Sequence, residues 1–236
     1  MLGIDELYKE LKSSNFLVDI DSRKIRKGSV FFAIKGDNFN GNEFIGDALK
    51  NGSRLAISDE ENPNLNDNHN VIKVSNSLST LQELSKFHRK KCNAKVIGIT
   101  GSNGKTTTKE LIYSVLSSNF KTICTPGNFN NHIGLPLSLF EIRHDTEFAI
   151  IEMGANNFGE IAFLTSLCEP DYGYITNFGK AHLEGFIDID GVIKAKTELY
   201  EWIIKNDKTL LINGEDKNQK KFDNHKHIMF GHSENF

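Results

Sequence analysis

Gly98-Ile99-Thr100-Gly101-Ser102-Asn103-Gly104-Lys105-Thr106-Thr107 decides the reading of this chain. The apolar run at 96–100 is a short buried strand, and residues 106–118 have helical spacing with Leu111, Ile112, Val115 and Leu116 facing inward. Strand, glycine turn and helix together aim backbone N–H groups and a helix N-terminus at one point, which suits an anion. Gly101, Ser102, Asn103, Gly104, Lys105, Thr106 and Thr107 are therefore candidate nucleotide phosphate-binding residues. Gly101 and Gly104 permit close approach, Lys105 reaches terminal phosphates, and the Thr106 hydroxyl suits Mg2+. The spacing departs from G-x-x-x-x-G-K-[ST], because Ile99 stands six positions before Lys105, with Gly98 and Gly101 flanking it. The competing reading, a plain Gly-rich turn before a helix, gives no role to the Lys-Thr pair.

Outward from this loop, strand and helix patterns alternate. Residues 148–152, 172–177 and 209–213 read as strands, and 159–167 and 190–205 as helices. Alternation of this kind predicts an α/β fold, a mainly parallel sheet with helices on both faces and ligands at the strands' carboxyl ends. Toward the N-terminus, residues 29–34, 54–58 and 71–74 read as strands and 43–50 as a helix stopped by Asn51-Gly52. Residues 59–70 are a polar loop. A helix over 78–91 places Leu81, Leu84, Phe87 and His88 on one face and ends in His88-Arg89-Lys90-Lys91, read as a solvated basic end. The pattern changes near 92–94, which divides the chain into a smaller α/β domain, 1–92, and a phosphate-loop domain, 93–236.

Composition narrows the class. Apolar residues make up 38% and charged residues 25%, which fits a soluble globular chain. A net charge of −3 carries no basic excess, so no nucleic-acid partner is expected. Three widely spaced cysteines fit reduced thiols rather than a disulfide framework. No apolar run is long enough for a membrane span, and no secretory leader is evident. A cytoplasmic monomer is the expectation.

Four more features carry chemistry. Glu152 ends the strand 148–152 at the edge of the sheet where the phosphate loop lies, and is either a Mg2+ ligand or an ordinary loop carboxylate. His182, just past the next strand, is either structural or a second-metal ligand. Lys196 falls within the apolar stripe Val192/Ile193, Leu199/Tyr200, Ile203/Ile204, so it must snorkel or be chemically neutralised. Residues 125–136 concentrate Gly, Pro and Asn; this is turn chemistry that also offers amide groups beside the nucleotide site.

Taken together, these residues resemble the Mur ligases of bacterial peptidoglycan synthesis. The loop Gly98 to Thr106 is similar to that family's variant, which accounts for Ile99. Asn128-x-Asn130-Asn131-x-Ile133-Gly134-x-Pro136, Ile151-Glu152-Met153-Gly154-Ala155-Asn156 with Gly159-Glu160-Ile161, and Ala181-His182-Leu183-Glu184-Gly185-Phe186 with Lys194-Ala195-Lys196 fit the pattern. So do Asp21-Ser22-Arg23, Gly28, Phe31-x-Ala33 and Gly36-Asp37-x-Phe39, which resemble a UDP-sugar-binding domain, with Asn42 where a His is expected.

The resemblance implies an ATP- and Mg2+-dependent amide ligase that joins D-alanyl-D-alanine to UDP-N-acetylmuramoyl-tripeptide through an acyl phosphate. It implies Lys105, His182 and Lys196 as catalytic, and Thr106, Glu152, His182 and carbamylated Lys196 as the metal set. Ser22, Arg23, Asn130 and Asn131 are then substrate-binding residues. It also implies a three-domain plan, so the expectation is an incomplete central domain, an absent C-terminal domain and little catalysis by this piece alone. Alternatives are the ligase adding the third amino acid, a folylpolyglutamate-type ligase, and a nucleotide-dependent switch or binding module; the last has no use for Lys196.

Overall fold

A computed structural model describes residues 2–61, 68–179 and 188–231. The chain divides into two compact units, Met1–His88 and Arg89–Phe236.

The first unit is built on a four-stranded sheet, β1 (Val18–Asp19), β2 (Val30–Phe32), β5 (Leu55–Ser58) and β6 (Val71–Lys73), in the order β1-β2-β5-β6 with every pair parallel. Val30, Phe31 and Phe32 are all buried, as befits a strand covered on both faces. Phe31, Ala33 and Ala56 pack with Ile45 and Ala48 of helix α2 (Ile45–Lys50). A hairpin of β3 (Lys35–Gly36) and β4 (Phe39–Asn40) precedes that helix. The sequence reading leaves residues before Ser29 unassigned, yet they form helix α1 (Ile4–Ser13) and β1. Leu7 and Leu11, one turn apart, anchor α1. Helix α3 (Ser77–Lys91) buries Leu81, Leu84 and His88.

The second unit carries a six-stranded, wholly parallel sheet, ordered β12-β11-β10-β7-β9-β8. Its strands are β7 (Lys95–Thr100), β8 (Thr122–Cys124), β9 (Phe148–Glu152), β10 (Tyr172–Ile175), β11 (Thr209–Asn213) and β12 (His227–Phe230). Side chains alternate across a strand, so each strand feeds two cores. Val96, Ala149 and Ile151 join one core with α5 (Gly134–Leu139), α6 (Glu160–Cys168) and α7 (Ile189–Lys205). Ile97, Ile99 and Ile150 face the other core, under α4 (Lys105–Leu116). Each aliphatic side chain so buried contributes roughly 1.5–3 kcal/mol. The expected α/β class with helices on both faces is what the chain adopts.

Two expectations are corrected. Leu111 and Val115 do not face inward; they are 63% and 70% exposed. Helix α4 meets the sheet through Ile112, Tyr113 and Leu116, and its fully buried residue is Lys109. Nor is the basic end of α3 wholly solvated. Arg89 is buried, and its guanidinium donates to the carbonyls of Cys168 and Glu169 and to Asp171 Oδ2. These carbonyls close α6, where a cation complements the helix dipole. Among the described residues no helix is long and apolar enough to cross a membrane.

Candidate functional site

The phosphate-type loop runs from the end of β7 into α4. Gly101 has φ +140° and a Cβ there would lie 2.0 Å from Thr176 Oγ1, so only glycine fits. Gly104, at φ +75°, is the left-handed residue that starts α4. The loop is stitched to the carboxyl end of β10. Ser102 N–H donates to Asn177 O, Asn103 N–H to Asn177 Oδ1, and the Thr176 hydroxyl and Asn177 amide donate to Asn103 O. Two loop N–H groups are therefore already used, and an anion is left the first turn of α4, whose N–H groups have no intrahelical acceptor. Lys105, Thr106 and Thr107 lie there. Lys105 Nζ donates to Gly101 O at 2.7 Å and Ser102 O at 3.2 Å. Burial pushes its pKa down, with Glu152 opposing.

Glu152, the last residue of β9, is 1% exposed and bonded at both oxygens. Oε2 accepts from Thr106 Oγ1 at 3.0 Å and Oε1 from Asn130 Nδ2 at 2.9 Å. Its backbone N–H donates to Thr125 Oγ1 at 2.9 Å. Among the described residues no group of three His, Cys, Asp or Glu side chains is placed to hold a metal ion. Mg2+ at a nucleotide needs no such cage, since it takes one or two hard protein oxygens and completes its shell with phosphate and water. A buried carboxylate 3.0 Å from a hydroxyl at a helix N-terminus fits that requirement.

Beside this pair opens a cavity of ≈ 410 Å³ lined in part by Lys105, Asn130, Asn131, Ala155, Glu160 and Phe163. Asn131 Oδ1 accepts the Ile133 and Gly134 N–H groups and so fixes the turn into α5. Lys196 is buried on the α7 stripe, as its spacing predicts, and donates to Ala155 O at 3.3 Å. Burial drives its pKa from 10.5 to about 8; Lys105 adds to the drop while Glu160 and Glu198 oppose it. Two residues on, Glu198 accepts from Gly159 N–H and Ala162 N–H, tying α7 to the start of α6. His182 lies outside the described residues.

In the first unit, Ser22 and Arg23 form a 3-10 turn capped by Asp21. Ser22 is buried, whereas the exposed Arg23 guanidinium grips Asp21 at 2.8 and 2.9 Å and, through that hydrogen bond first, holds the carboxyl down at about 2. Asn42 is buried and committed internally: its amide donates to Asn40 and Asp59 and accepts from Ser58.

Sequence reasoning missed Lys109, Thr125, Thr176, Asn177 and Glu198. Lys109 carried a usable signal, because it shares the stripe of Ile112 and Leu116, as Lys196 shares that of Val192 and Leu199.

Comparison with known proteins adds the following. The Mur ligase middle domain matches residues 99–236, and the Mur ligase family catalytic domain matches 17–89. A Bacillus subtilis UDP-N-acetylmuramoyl-tripeptide–D-alanyl-D-alanine ligase is 40% identical over 199 residues, which are 84% of this chain and 43% of that protein. The crystal structure of MurF from Acinetobacter baumannii superposes with a TM-score of 0.83 at 30% identity, covering 95% of this chain and 53% of that one. MurF from Thermotoga maritima in complex with ADP gives 0.80 at 32% identity, covering 91% and 50%. This chain thus spans less than half the length of the Bacillus relative.

Proposed function

This chain belongs to the Mur ligase family, and on that premise we propose that it carries the substrate- and ATP-binding parts of a ligase that joins D-alanyl-D-alanine to UDP-N-acetylmuramoyl-tripeptide. The observation that carries the reading is one arrangement: Lys105, Asn130 and Ala155 line one cavity, Glu152 joins Asn130 to Thr106 just behind it, and the buried Lys196 donates to Ala155 O. The substrates come from the names of the relatives, and ADP from the Thermotoga complex.

In the proposed reaction an oxygen of the tripeptide's terminal carboxylate attacks the γ-phosphorus of ATP, and ADP leaves. The amine of D-alanyl-D-alanine then attacks the acyl phosphate carbonyl; the C–O bond breaks, phosphate departs, the amine loses a proton and an amide remains. Both steps need charge neutralisation and alignment more than covalent help from the protein. Lys105 neutralises the migrating phosphoryl group, and the first turn of α4 cradles the other phosphates. Thr106 and Glu152 would hold Mg2+, which would supply further neutralisation; His182 is the candidate ligand for a second ion. Burial lowers the Lys196 pKa to about 8, so a fraction of the amine is neutral near physiological pH; that form adds to CO2 and releases a proton, giving a carbamate that no longer buries a cation. Asn130 and Asn131 face the reacting groups. Residues 1–92, with Ser22 and Arg23, receive the UDP-sugar, and residues 93–236 receive ATP. The enzyme works as a monomer in the cytoplasm, where its nucleotide substrates are found.

With residues 1–236 completed by the remaining length that the relatives carry, D-alanyl-D-alanine should stimulate ADP release in the presence of the UDP-tripeptide. Stimulation by a single diamino acid instead would move the assignment to the ligase that adds the third residue.

A further inference from the structure

Lys109 is fully buried in α4, one turn beyond Lys105 and Thr106. An ammonium in such a place is costly unless acceptors surround it. Its Nζ donates to Thr125 O at 2.7 Å and Gly127 O at 3.1 Å, and lies 3.1 Å from Glu110 Oε1 and 4.0 Å from Glu152 Oε2. The last of these is the oxygen that accepts the Thr106 hydroxyl.

Thr125 completes a ring. Its carbonyl accepts from Lys109, and its hydroxyl accepts the Glu152 N–H. The Glu152 carboxylate returns through Thr106 to α4, three residues before Lys109. Three elements that meet at one point, α4, the turn after β8 and the end of β9, are thus locked through a single cation. The lock also reaches Asn130, because Glu152 Oε1 holds its amide.

We infer that Lys109 is a positioning residue: through Thr125 and its own charge it holds the buried Glu152 carboxylate in the place where a divalent cation and nucleotide are received. This rests on the reading of Thr106 and Glu152 as the metal-binding pair. A lysine that merely packed α4 onto the sheet would contribute to stability alone. A positioning lysine also sets how much a divalent cation improves nucleotide binding. Without its neighbouring cation the buried Glu152 carboxylate keeps only its Thr106 and Asn130 hydrogen bonds and is free to turn away from that place.

The test is a calorimetric titration of the 236-residue chain with ADP, with and without Mg2+. For wild type we expect Mg2+ to tighten ADP binding by about tenfold or more. Lys109→Met and Lys109→Gln, checked for native circular dichroism, should lose most of that enhancement, while metal-free ADP affinity changes less than about threefold. The glutamine variant keeps a hydrogen-bond donor while removing the charge, so it serves if the methionine variant does not fold. In a Glu152→Gln background the Lys109 substitutions should remove nothing further from the Mg2+ enhancement. A folded Lys109 variant with the wild-type enhancement overturns the inference. So does an enhancement lost equally with and without the Glu152 carboxylate. Absence of any Mg2+ enhancement in wild type overturns the metal-site reading itself, which separates the two failures.

Discussion

Each face of the six-stranded sheet buries a lysine, and the two are treated differently. Under α4, Lys109 lies among the carbonyls of Thr125 and Gly127 and the carboxylates of Glu110 and Glu152. Under α7, Lys196 donates to Ala155 O, and burial, with Lys105 nearby, brings its pKa to about 8. The first environment compensates a charge. The second makes the neutral amine accessible near physiological pH, which is the form that reacts with CO2. In the sequence the two carry the same signal, a lysine on an apolar helical stripe. Which use a buried lysine serves is decided by what the other elements bring to it.

The contrast is most open to breakage in stability. Lys109→Met should cost about 3–5 kcal/mol in urea unfolding, because it leaves Glu152 buried without its partner. Lys196→Met in CO2-free buffer should cost nothing and should gain about 1–3 kcal/mol near pH 7, since methionine carries no desolvation penalty. Equal losses from both would erase the distinction. The gain must also depend on pH in a definite direction. Below about 8, Lys196 is charged in folded and unfolded chains alike and the penalty is full. As pH rises from about 8 toward 10.5 the folded chain gives up the proton first, so wild type should close the gap on the variant. Unfolding curves at several pH values check this, and a gap that widens with pH would contradict it.

Asp171 sharpens the same comparison from the acidic side. Burial pushes its carboxyl up, but Lys208, the Val96 N–H and Arg89 together outweigh it, and the net shift is downward from 3.8. A lowered carboxyl stabilises the fold above its unfolded value and loses that contribution as pH falls through the folded one. Asp171→Asn should therefore lose about 1 kcal/mol at pH 7 and progressively less in acid. A difference that stays constant down to the acid transition would show that Asp171 is not acting through its charge.

Much of the second unit was legible because parallel strands buried on both faces give short apolar runs between helices, as at 148–152. Lys105, Thr106 and Glu152 were legible as residues at the carboxyl ends of such strands. Helix α1 escaped because its apolar stripe is narrow, carried by Leu7 and Leu11 within a polar segment. Strand β8 and helix α5 escaped because they flank the Gly-, Pro- and Asn-rich loop and are only three and six residues long. The inward face of α4 was misread because Leu111 and Val115 share helical spacing with Ile112 and Leu116, and hydropathy does not say which pair meets the sheet. Contacts such as Asn177 with the phosphate-type loop join residues 74 positions apart, so local pattern carries no trace of them.

The central claim is that the turn from Gly101 into α4 receives nucleotide phosphates. Calorimetric titration of wild type and Lys105→Ala with ADP and Mg2+ tests it most directly. One site per chain is expected, with affinity weakened about 100-fold or more in the variant, through loss of a charge-assisted phosphate contact. Equal affinity in the two proteins would contradict the account.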